Sequence, residues 1–271
     1  MPTEEKGLRS LAALVYEHTS VTVDEQRWSM LRGRVKKRVR ALGLEDTAAY
    51  VNLLRTLDNA AEEIAEFIDV VTTHKTSFFR TQSVWDDLCR ETSDAAKWPS
   101  FDAWSCACSY GQEAYSIAML GASLRAARPG LRVNVVASDV SPKIVRQASE
   151  GIFDAGDVQA AASVMPDLHV ESHFKATEKA GPGRVEATPA LRNLIRFRPH
   201  NLMKRSSETF DVACLRNVLI YFTPEDKETV VRNVISSIRP MGLLIIGESE
   251  SLLERSDELE YLSPCIYRKI K

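Results

Sequence analysis

Apolar residues recur at helical spacing in the first third of the chain. From Trp28 onward they follow one another at steps of three and four residues, and the run stops at Gly43, a predicted helix C-cap. Thr22 and Glu25 form a capping-box pattern just ahead of the run. The apolar positions are Trp28, Leu31, Val35, Val39 and Leu42. This pattern predicts an amphipathic helix with a defined start and stop.

Two further helices are predicted without an intervening strand. The first of them begins at Asp46 or Thr47 and the second at Asn59. Their inward positions are Tyr50, Leu53, Leu54 and Leu57 in the former and Ile64, Phe67, Ile68 and Val71 in the latter. We therefore predict an all-helical N-terminal domain with its linker over residues 1–95.

After Pro99 short apolar runs alternate with helical periods. The predicted strands are Phe101–Cys108, Val133–Ser138, Leu194–Phe197, Phe210–Leu215, Leu243–Ile246 and a last one near Ile266. The predicted helices are Ala114–Ala127, one beginning at Pro142, and Pro224–Ile238. Strands that alternate with helices are typical of a doubly wound α/β sheet, so residues 96–271 are predicted to form a Rossmann-like domain.

The alternation lapses between residues 152 and 192. This stretch holds Gly181-Pro182-Gly183 and only scattered apolar residues. It is either a long functional loop or a small inserted subdomain, and loops of this length are uncommon in compact domains. We favour the subdomain.

Composition limits the function classes. The chain has 271 residues, 44% of them hydrophobic and 27% charged, which is typical of a globular protein and argues against disorder and coiled coil. Its 35 Lys and Arg against 37 Asp and Glu give a net charge of −2, which disfavours a uniformly basic nucleic-acid binder.

Membrane insertion and metal binding are not expected. No apolar run approaches the roughly 18 residues of a membrane span, and there is no signal-peptide pattern, so a cytoplasmic location is predicted. The five cysteines are odd in number and widely spread, and only Cys106 and Cys108 are close. We interpret them as reduced, mostly buried thiols rather than metal ligands.

Charge is sorted within the helical domain. Seven basic residues and no acid lie between Arg27 and Arg40, whereas seven acids lie between Glu45 and Asp69. The basic stretch is either a solvated helix face or a docking surface for an acidic partner, and nucleic acid is a weaker alternative because no aromatic residues are interleaved. The candidate docking residues are Arg34, Lys36, Lys37, Arg38 and Arg40.

Two loops lie where an open α/β sheet binds its ligand, beyond the carboxyl ends of the strands. One contains Gly111 and the other begins at Asp139. A glycine lets the backbone approach a ligand, and an acid after the second strand can accept hydrogen bonds from a ribose. Since G-x-G-x-x-G and a Walker lysine are absent, an adenosine ligand without phosphates is favoured over NAD and ATP. S-adenosylmethionine is such a ligand.

Five motifs in order resemble those of the CheR family, the chemotaxis receptor glutamate methyltransferases. They are the segments 72–80 (TTHKTSFFR), 111–116 (GQEAYS), 137–139 (ASD), 200–202 (HNL) and 216–222 (RNVLIYF). The likeness runs from about Leu8 to the end of the chain. It implies S-adenosylmethionine as cofactor, S-adenosylhomocysteine as product, and methyl esters on receptor glutamates.

The resemblance also implies individual roles. Glu113 would bind the amino end of the cofactor's methionine part, Asp139 the ribose, and Asn201 and Leu202 would flank the adenine. The other implied cofactor-binding residues are His74, Thr76, Arg80, Arg216 and Asn217. Arg80 and Tyr221 are the catalytic candidates, and we expect them to orient the substrate. From the residues alone, Glu113 could instead favour a helix N-terminus, and Asp139 could be an N-cap.

The chemistry is consistent with a site that has no obvious base. A glutamate has a pKa of about 4.3, so at neutral pH the nucleophile is already an anion. Positioning and exclusion of water are then the main tasks. The expected partners are acidic helical cytoplasmic domains of chemoreceptors, with no nucleic acid, and the protein is expected to be a monomer.

Two other functions are considered. One is a non-catalytic cofactor-binding scaffold, against which the retained methyl-side residues argue. The other is a methyltransferase acting on another substrate such as nucleic acid, but the chain has Asn217-Val218-Leu219-Ile220 in place of an Asn-Pro-Pro-Tyr motif. The chain departs from the family pattern at Tyr110, Ala114 and Glu248.

Overall fold

The N-terminal part of the chain is helical. The computed structural model describes residues 2–56, 61–72, 76–94, 98–179, 181–255 and 257–271. The helices here are α1 (Pro2–Thr19), α2 (Trp28–Ala41), α3 (Thr47–Thr56) and α4 (Ala61–Val71). They share one core, which includes Leu8, Leu11, Leu31, Val35, Tyr50 and Phe67. The predicted apolar stripe of α2 is therefore confirmed from Trp28 to Val39, but Leu42 follows the helix end and is 38% exposed, so that part of the prediction is wrong. Helix α1 has no counterpart among the predicted helices.

Details at the helix ends differ from the predictions. The capping box at Thr22 is wrong, because the Asp24 carboxylate accepts the hydrogen bond from the Arg27 N–H at 3.0 Å and a short 3₁₀ turn then leads into α2. Gly43 has a φ of +66°, as expected of a residue that follows a helix end. Asp46 caps α3 through the Ala49 N–H at 2.8 Å. The predicted start at Asn59 lies outside the described residues.

A seven-stranded sheet forms the second part. Its strands are β1 (Ser100–Ser105), β2 (Arg132–Asp139), β6 (Ile195–Pro199), β7 (Phe210–Leu215), β8 (Ile238–Ile246), β9 (Leu259–Ser263) and β10 (Ile266–Lys269). The spatial order is β6-β2-β1-β7-β8-β10-β9. The first five are parallel, whereas β10 is antiparallel to both of its neighbours. The Rossmann-like fold is confirmed.

Helices cover both faces of this sheet. They are α5 (Gln82–Ser93), α6 (Gln112–Ala127), α7 (Pro142–Glu150) and α10 (Pro224–Ser236). Trp85 and Leu88 of α5 belong to the same core as Ile117 and Met119 of α6, whereas Val230 of α10 lies in the core on another side. Helix α5 precedes the predicted domain boundary at residue 95, yet it packs in the core of the sheet domain. The boundary itself stays a prediction.

The chain segment that connects β2 to β6 forms a second, small antiparallel sheet. Its strands are β3 (Ile152–Asp154), β4 (Phe174–Thr177) and β5 (Arg184–Ala187), in the order β3-β5-β4. Helices α8 (Ala155–Val164) and α9 (Pro189–Arg192) accompany them. Phe78 contacts both Phe153 and Phe174, with ring centroids 4.9 and 5.8 Å apart. The predicted β-subdomain is thus present, and it packs against the segment that precedes α5.

Polar contacts join the helical domain to the sheet domain. The ammonium group of Lys143 on α7 lies 2.9 Å from a carboxylate oxygen of Glu66 and 3.4 Å from one of Asp69, both on α4. The Tyr16 hydroxyl donates to Asp226 on α10 at 2.9 Å. These contacts hold the helical domain over the carboxyl ends of the strands.

A buried charge cluster lies at the opposite ends of the strands. Asp102 and Asp211 are nearly buried, and the guanidinium of Arg239 bridges them at 2.9 and 2.6 Å. Arg132 adds a second contact to Asp102 at 2.8 Å. The paired aspartates raise the pKa of Arg239, although burial acts in the opposite direction. The cluster therefore ties β1, β2, β7 and β8 together electrostatically.

Replacing Arg239 with alanine is expected to lower the free energy of unfolding by about 2–3 kcal/mol, since it leaves nearly buried carboxylates short of a partner. Urea unfolding followed by circular dichroism measures this loss. Arg232→Ala is the matched control, because Arg232 pairs with Glu228 at the surface, where its side chain is 65% exposed. There the expected loss is about 0.5 kcal/mol or less. Equal losses in the two variants would contradict this interpretation.

Candidate active site

A cavity of about 310 Å³ lies between the helical domain and the carboxyl ends of the strands. Every predicted cofactor-binding or catalytic residue that the structure describes lines it. These residues are Thr76, Arg80, Glu113, Asp139, Asn201, Leu202, Arg216, Asn217 and Tyr221. His74 lies outside the described residues. Residues far apart in the chain, from Thr76 to Tyr221, thus meet at one site, while their individual roles stay predictions.

Glu113 occupies the first turn of α6, and Gly111 before it has a φ of +98°. A side chain at Gly111 would also lie 3.2 Å from Ala148, so this turn requires glycine. The Glu113 Oε1 atom accepts a hydrogen bond from the Ser105 hydroxyl at 2.7 Å. The carboxylate is therefore held between the end of β1 and the start of α6, with 12% of its side chain exposed.

Arg216 forms a buried polar frame around Glu113. Its Nη1 atom lies 3.6 Å from Glu113 Oε2, and its Nη2 atom donates to the Arg80 carbonyl at 2.8 Å and to the Thr81 hydroxyl at 3.1 Å. Burial raises the pKa of Glu113, while Arg216 and the Ser105 hydrogen bond partly oppose that shift. The Nε atom of Arg216 is buried and has no hydrogen-bond partner among the described residues.

Asp139 ends β2 and accepts two backbone hydrogen bonds. The Ser109 N–H donates to Oδ2 at 3.0 Å and the Ser141 N–H to Oδ1 at 3.1 Å. The N-cap of α7 is Ser141, whose hydroxyl accepts from the Ile144 N–H. The alternative that Asp139 is an N-cap is therefore wrong. Its carboxylate instead joins the glycine loop to the end of β2 and faces the cavity.

The loop after β7 carries Asn217 and Tyr221. Asn217 has a φ of +57°, and a 3₁₀ turn from Leu219 to Tyr221 follows it. The Tyr221 carbonyl accepts a hydrogen bond from the Thr22 N–H at 2.8 Å, and the Arg27 guanidinium lies over the Tyr221 ring, 5.0 Å from its centroid. The helical domain therefore contacts Tyr221 directly.

Asn201 and Leu202 follow β6. The Asn201 side-chain oxygen accepts from the Met203 N–H at 2.9 Å, and Leu202 is buried. The neighbouring His200 ring packs edge-on against Trp104, and burial lowers the pKa of His200. On this side of the cavity Leu202 supplies apolar surface and His200 supplies a neutral imidazole.

Several lining residues were not predicted. From the helical domain they are Thr19, Val21, Thr22, Val23, Arg27, Met30, Val71 and Thr72. From the sheet domain they include Cys106, Ala107, Val140, His200 and Phe222. Cys106, Ala107 and Val140 directly follow β1 and β2, so the strand-end rule could have found them. The helical-domain residues carry no such signal, because their position depends on how the two domains dock.

The predicted docking helix is only partly exposed. Arg34 donates to the Val70, Val71 and Thr72 carbonyls at 2.7–3.2 Å and so caps the end of α4. Arg38 forms two hydrogen bonds with Glu63, which also accepts from the Tyr50 hydroxyl. The assignment of these two arginines to docking is corrected, because both are engaged inside the domain. Lys36, Lys37 and Arg40 are exposed.

The family departures lie at different depths. Tyr110 is 43% exposed, Ala114 is buried, and Glu248 is exposed.

All five cysteines are free thiols, and Cys106, Cys108 and Cys214 are buried, as predicted. Within the described ranges no cluster of three or more His, Cys, Asp or Glu side chains is arranged to hold a metal ion. No described helix has the length and apolar content needed to cross a membrane.

Comparisons with known proteins agree with this architecture. The family described as CheR methyltransferase, SAM binding domain, matches residues 74–266, and the CheR methyltransferase all-alpha domain matches residues 6–72. The chemotaxis protein methyltransferase of Vibrio parahaemolyticus is 32% identical over 280 residues, covering 98% of both chains. That of Escherichia coli is 32% identical over 254 residues, covering 91% of this chain and 85% of the relative.

The two family matches divide the chain where the structure changes from the helical core to the sheet domain, and together they cover almost its whole length. The parallel sheet with its antiparallel β10 and the cavity at its carboxyl edge agree with the match to the SAM binding domain over residues 74–266. The chain therefore belongs to the CheR methyltransferase family and is an S-adenosylmethionine-dependent methyltransferase.

Proposed function

We propose that this protein transfers a methyl group from S-adenosylmethionine to glutamate side chains of chemoreceptors. The products are glutamyl methyl esters and S-adenosylhomocysteine. The observation that carries the proposal is the convergence of Arg80, Glu113, Asp139 and Tyr221 on one cavity between the two domains. The relatives named chemotaxis protein methyltransferase support the choice of receptor substrates.

The cavity residues fit the proposed cofactor. Glu113 offers an acceptor for the cofactor's ammonium group, and the partnerless Nε atom of Arg216 offers a buried donor close by. Asp139 provides a carboxylate for the ribose hydroxyls, and Leu202 and Val140 provide apolar surface for a base. The volume lies at the lower end of the roughly 300–1,000 Å³ typical of small-molecule sites.

The reaction does not require the protein to remove a proton from the substrate. Bound S-adenosylmethionine supplies an electrophilic methyl group on a sulfonium centre. The substrate glutamate is already ionised at neutral pH, so the site needs to hold it in line and dry rather than deprotonate it. We assign this orientation to Arg80 and Tyr221. Burial raises the pKa of the Cys106 thiol well above its ordinary value, so this cavity residue stays protonated and does not compete as a nucleophile.

Receptor docking is assigned to the exposed face of α2. Lys36, Lys37 and Arg40 give this face a positive charge, while Arg34 and Arg38 are engaged inside the domain. A cationic helix attracts an acidic helical partner through long-range electrostatics, which raises the association rate.

Reversing the three exposed charges, Lys36→Glu, Lys37→Glu and Arg40→Glu, is expected to raise the KM for receptor by about 10-fold or more, from the range by which charge accelerates association. The Kd for S-adenosylhomocysteine should not change, because the cavity is untouched. Steady-state methylation at several salt concentrations measures this. The charge-matched control reverses Arg90, Arg125 and Arg232, which are exposed on helices of the sheet domain. An unchanged KM in the first variant would remove the docking assignment.

One labelling experiment tests the function as a whole. Tritiated S-adenosylmethionine is offered with receptor-containing membranes, with DNA and with RNA. We expect label only in the receptors, released by mild base as a carboxyl ester should be. Label in nucleic acid would support the other methyltransferase, and cofactor binding without any transfer would support the scaffold. A cytoplasmic location and a monomeric state belong to the same proposal, and light scattering tests the latter.

A further inference from the structure

A buried carboxylate lies outside the cavity lining and beside the loop that carries Asn217 and Tyr221. It belongs to Glu250, which is 9% exposed and follows β8. A turn brings the side chain back toward the sheet, since the Glu250 N–H donates to the Gly247 carbonyl at 3.0 Å. The proposed function assigns this residue no role.

The Glu250 carboxylate joins two loops. Its Oε2 atom accepts from the Gly247 N–H at 2.6 Å, and its Oε1 atom accepts from the Leu219 N–H at 3.0 Å. An ionised carboxylate only accepts hydrogen bonds, so the two converging N–H groups of Gly247 and Leu219 match it, whereas a glutamine would turn an N–H₂ group toward one of these donors.

Close packing fixes the same junction from the other side. A side chain at Gly247 would lie 2.8 Å from both the backbone nitrogen and the side-chain nitrogen of Asn217. It would also lie 2.9 Å from Glu250 Oε2. Asn217 itself lies in the left-handed region, with a φ of +57°, which asparagine adopts more readily than most side chains. The three groups therefore fix one loop conformation.

We propose that Glu250 is a positioning residue for methyl transfer: its carboxylate fixes the segment Asn217–Tyr221 so that Asn217 and Tyr221 face the cavity correctly. The inference rests on the proposed function. Glu250 acts from behind the loop, through the Leu219 N–H and through Gly247, which packs closely against Asn217. Its loss should therefore slow the transfer step and leave the cofactor-binding side around Glu113 and Asp139 in place.

The charge state of Glu250 matters for this role. Burial raises the pKa of Glu250, and the backbone N–H groups and Lys227 on α10 partly oppose that shift. The thiol of Cys265, just before β10, is a further titratable group close to Glu250. Protonation would place an O–H donor among N–H donors. We therefore expect the wild-type kcat to fall on acidification at a higher pH than an exposed glutamate would cause, because the raised pKa means earlier protonation.

The test is Glu250→Gln, with Glu248→Gln as the matched control two residues away on the exposed side of the same turn. We expect the kcat for receptor methylation to fall about 100-fold, as for other small misplacements of reacting groups. The KM for receptor should stay within about threefold of wild type, and the Kd for S-adenosylhomocysteine should change much less than kcat, because the contacts around Glu113 and Asp139 remain and only Asn217 is disturbed. The acid limb of the kcat profile should move to lower pH in Glu250→Gln, where only the substrate carboxylate is left to cause it, and should stay at the wild-type pH in Glu248→Gln.

The outcomes are distinguishable. A wild-type protein that labels no receptor overturns the proposed function, whereas receptor labelling with a normal kcat in Glu250→Gln overturns only the positioning role. If Glu250→Gln loses S-adenosylhomocysteine binding together with its thermal transition, the protein has unfolded. Gly247→Ala then decides, since it disturbs the same junction and keeps the carboxylate. A low kcat in Gly247→Ala with retained S-adenosylhomocysteine binding supports the proposal. A normal kcat in that variant overturns it, and so does a wild-type kcat that does not fall on acidification until the pH at which an exposed glutamate is protonated.

Discussion

Exchanging Glu113 for glutamine is expected to weaken S-adenosylhomocysteine binding by about 100-fold, corresponding to the roughly 1.5–3 kcal/mol of a hydrogen bond to a charged group. The product carries the same amino-acid end as the cofactor, so it reports on the same contact. Glu113 is held by the Ser105 hydroxyl and lies 3.6 Å from Arg216. Glutamine keeps the shape of the side chain but loses the charge that would pair with an ammonium group.

The pH dependence of binding provides a second measurement. Burial raises the pKa of Glu113, so this acid takes up a proton at a higher pH than an exposed glutamate. The neutral acid cannot pair with the ammonium group. Affinity of the wild-type protein should therefore fall as the pH decreases through the raised pKa, and Glu113→Gln should not show this acid limb. Isothermal titration calorimetry measures both, with Glu248→Gln as the exposed control. Wild-type affinity in Glu113→Gln would refute the assignment.

The strands could be predicted where apolar residues form continuous runs. β7 matches the predicted Phe210–Leu215 because each of its residues is buried and the run is bounded by polar segments. β9 was missed because its sequence, Leu259–Ser263, forms neither an apolar run nor an alternating pattern: the consecutive residues Glu260 and Tyr261 are both exposed at the sheet edge. Such a short edge strand is stabilised by pairing with β10, which is a non-local interaction.

The site was predictable on the sheet side and not on the helical side. Glu113 and Asp139 follow strands, so the position of the site in this fold class identifies them. The contact between Thr22 and Tyr221 joins residues that are far apart in the chain and exists only after the two domains dock. No local pattern in the sequence predicts this contact.

The run of basic charges predicts more docking residues on α2 than the structure leaves exposed. Arg34 and Arg38 stand three residues after Leu31 and Val35, so helical geometry places them beside the apolar stripe rather than opposite it. Their long side chains reach the end of α4 and Glu63. The run of basic residues in the sequence does not distinguish inward from outward positions, whereas the helical period does so in part.

Arg80 lies in a segment whose backbone is tightly held. The residues on either side, Phe79 and Thr81, have φ values of +46° and +64°. The Phe79 N–H donates to the Ser116 hydroxyl at 3.1 Å, and the Arg80 carbonyl accepts from Arg216 and from the Trp85 indole. Strained residues held by several contacts cluster at functional sites, where they place a side chain accurately. These backbone contacts do not depend on the Arg80 side chain.

Truncating that side chain in Arg80→Ala is therefore expected to leave the fold intact and to lower receptor methylation at saturating cofactor by about 100-fold, the cost of losing orientation of the nucleophile. Arg80→Lys should recover only part of this rate, because lysine keeps the charge but lacks the planar fork that can hold a carboxylate in one direction. The cation must not hold the substrate carboxylate too tightly. The negative charge of the carboxylate and the positive charge of the sulfonium cancel in the transition state, so a very tight ion pair would stabilise the bound substrate more than the transition state. Initial rates with tritiated S-adenosylmethionine measure the effect, and a wild-type rate in Arg80→Ala would show that Arg80 does not orient the substrate.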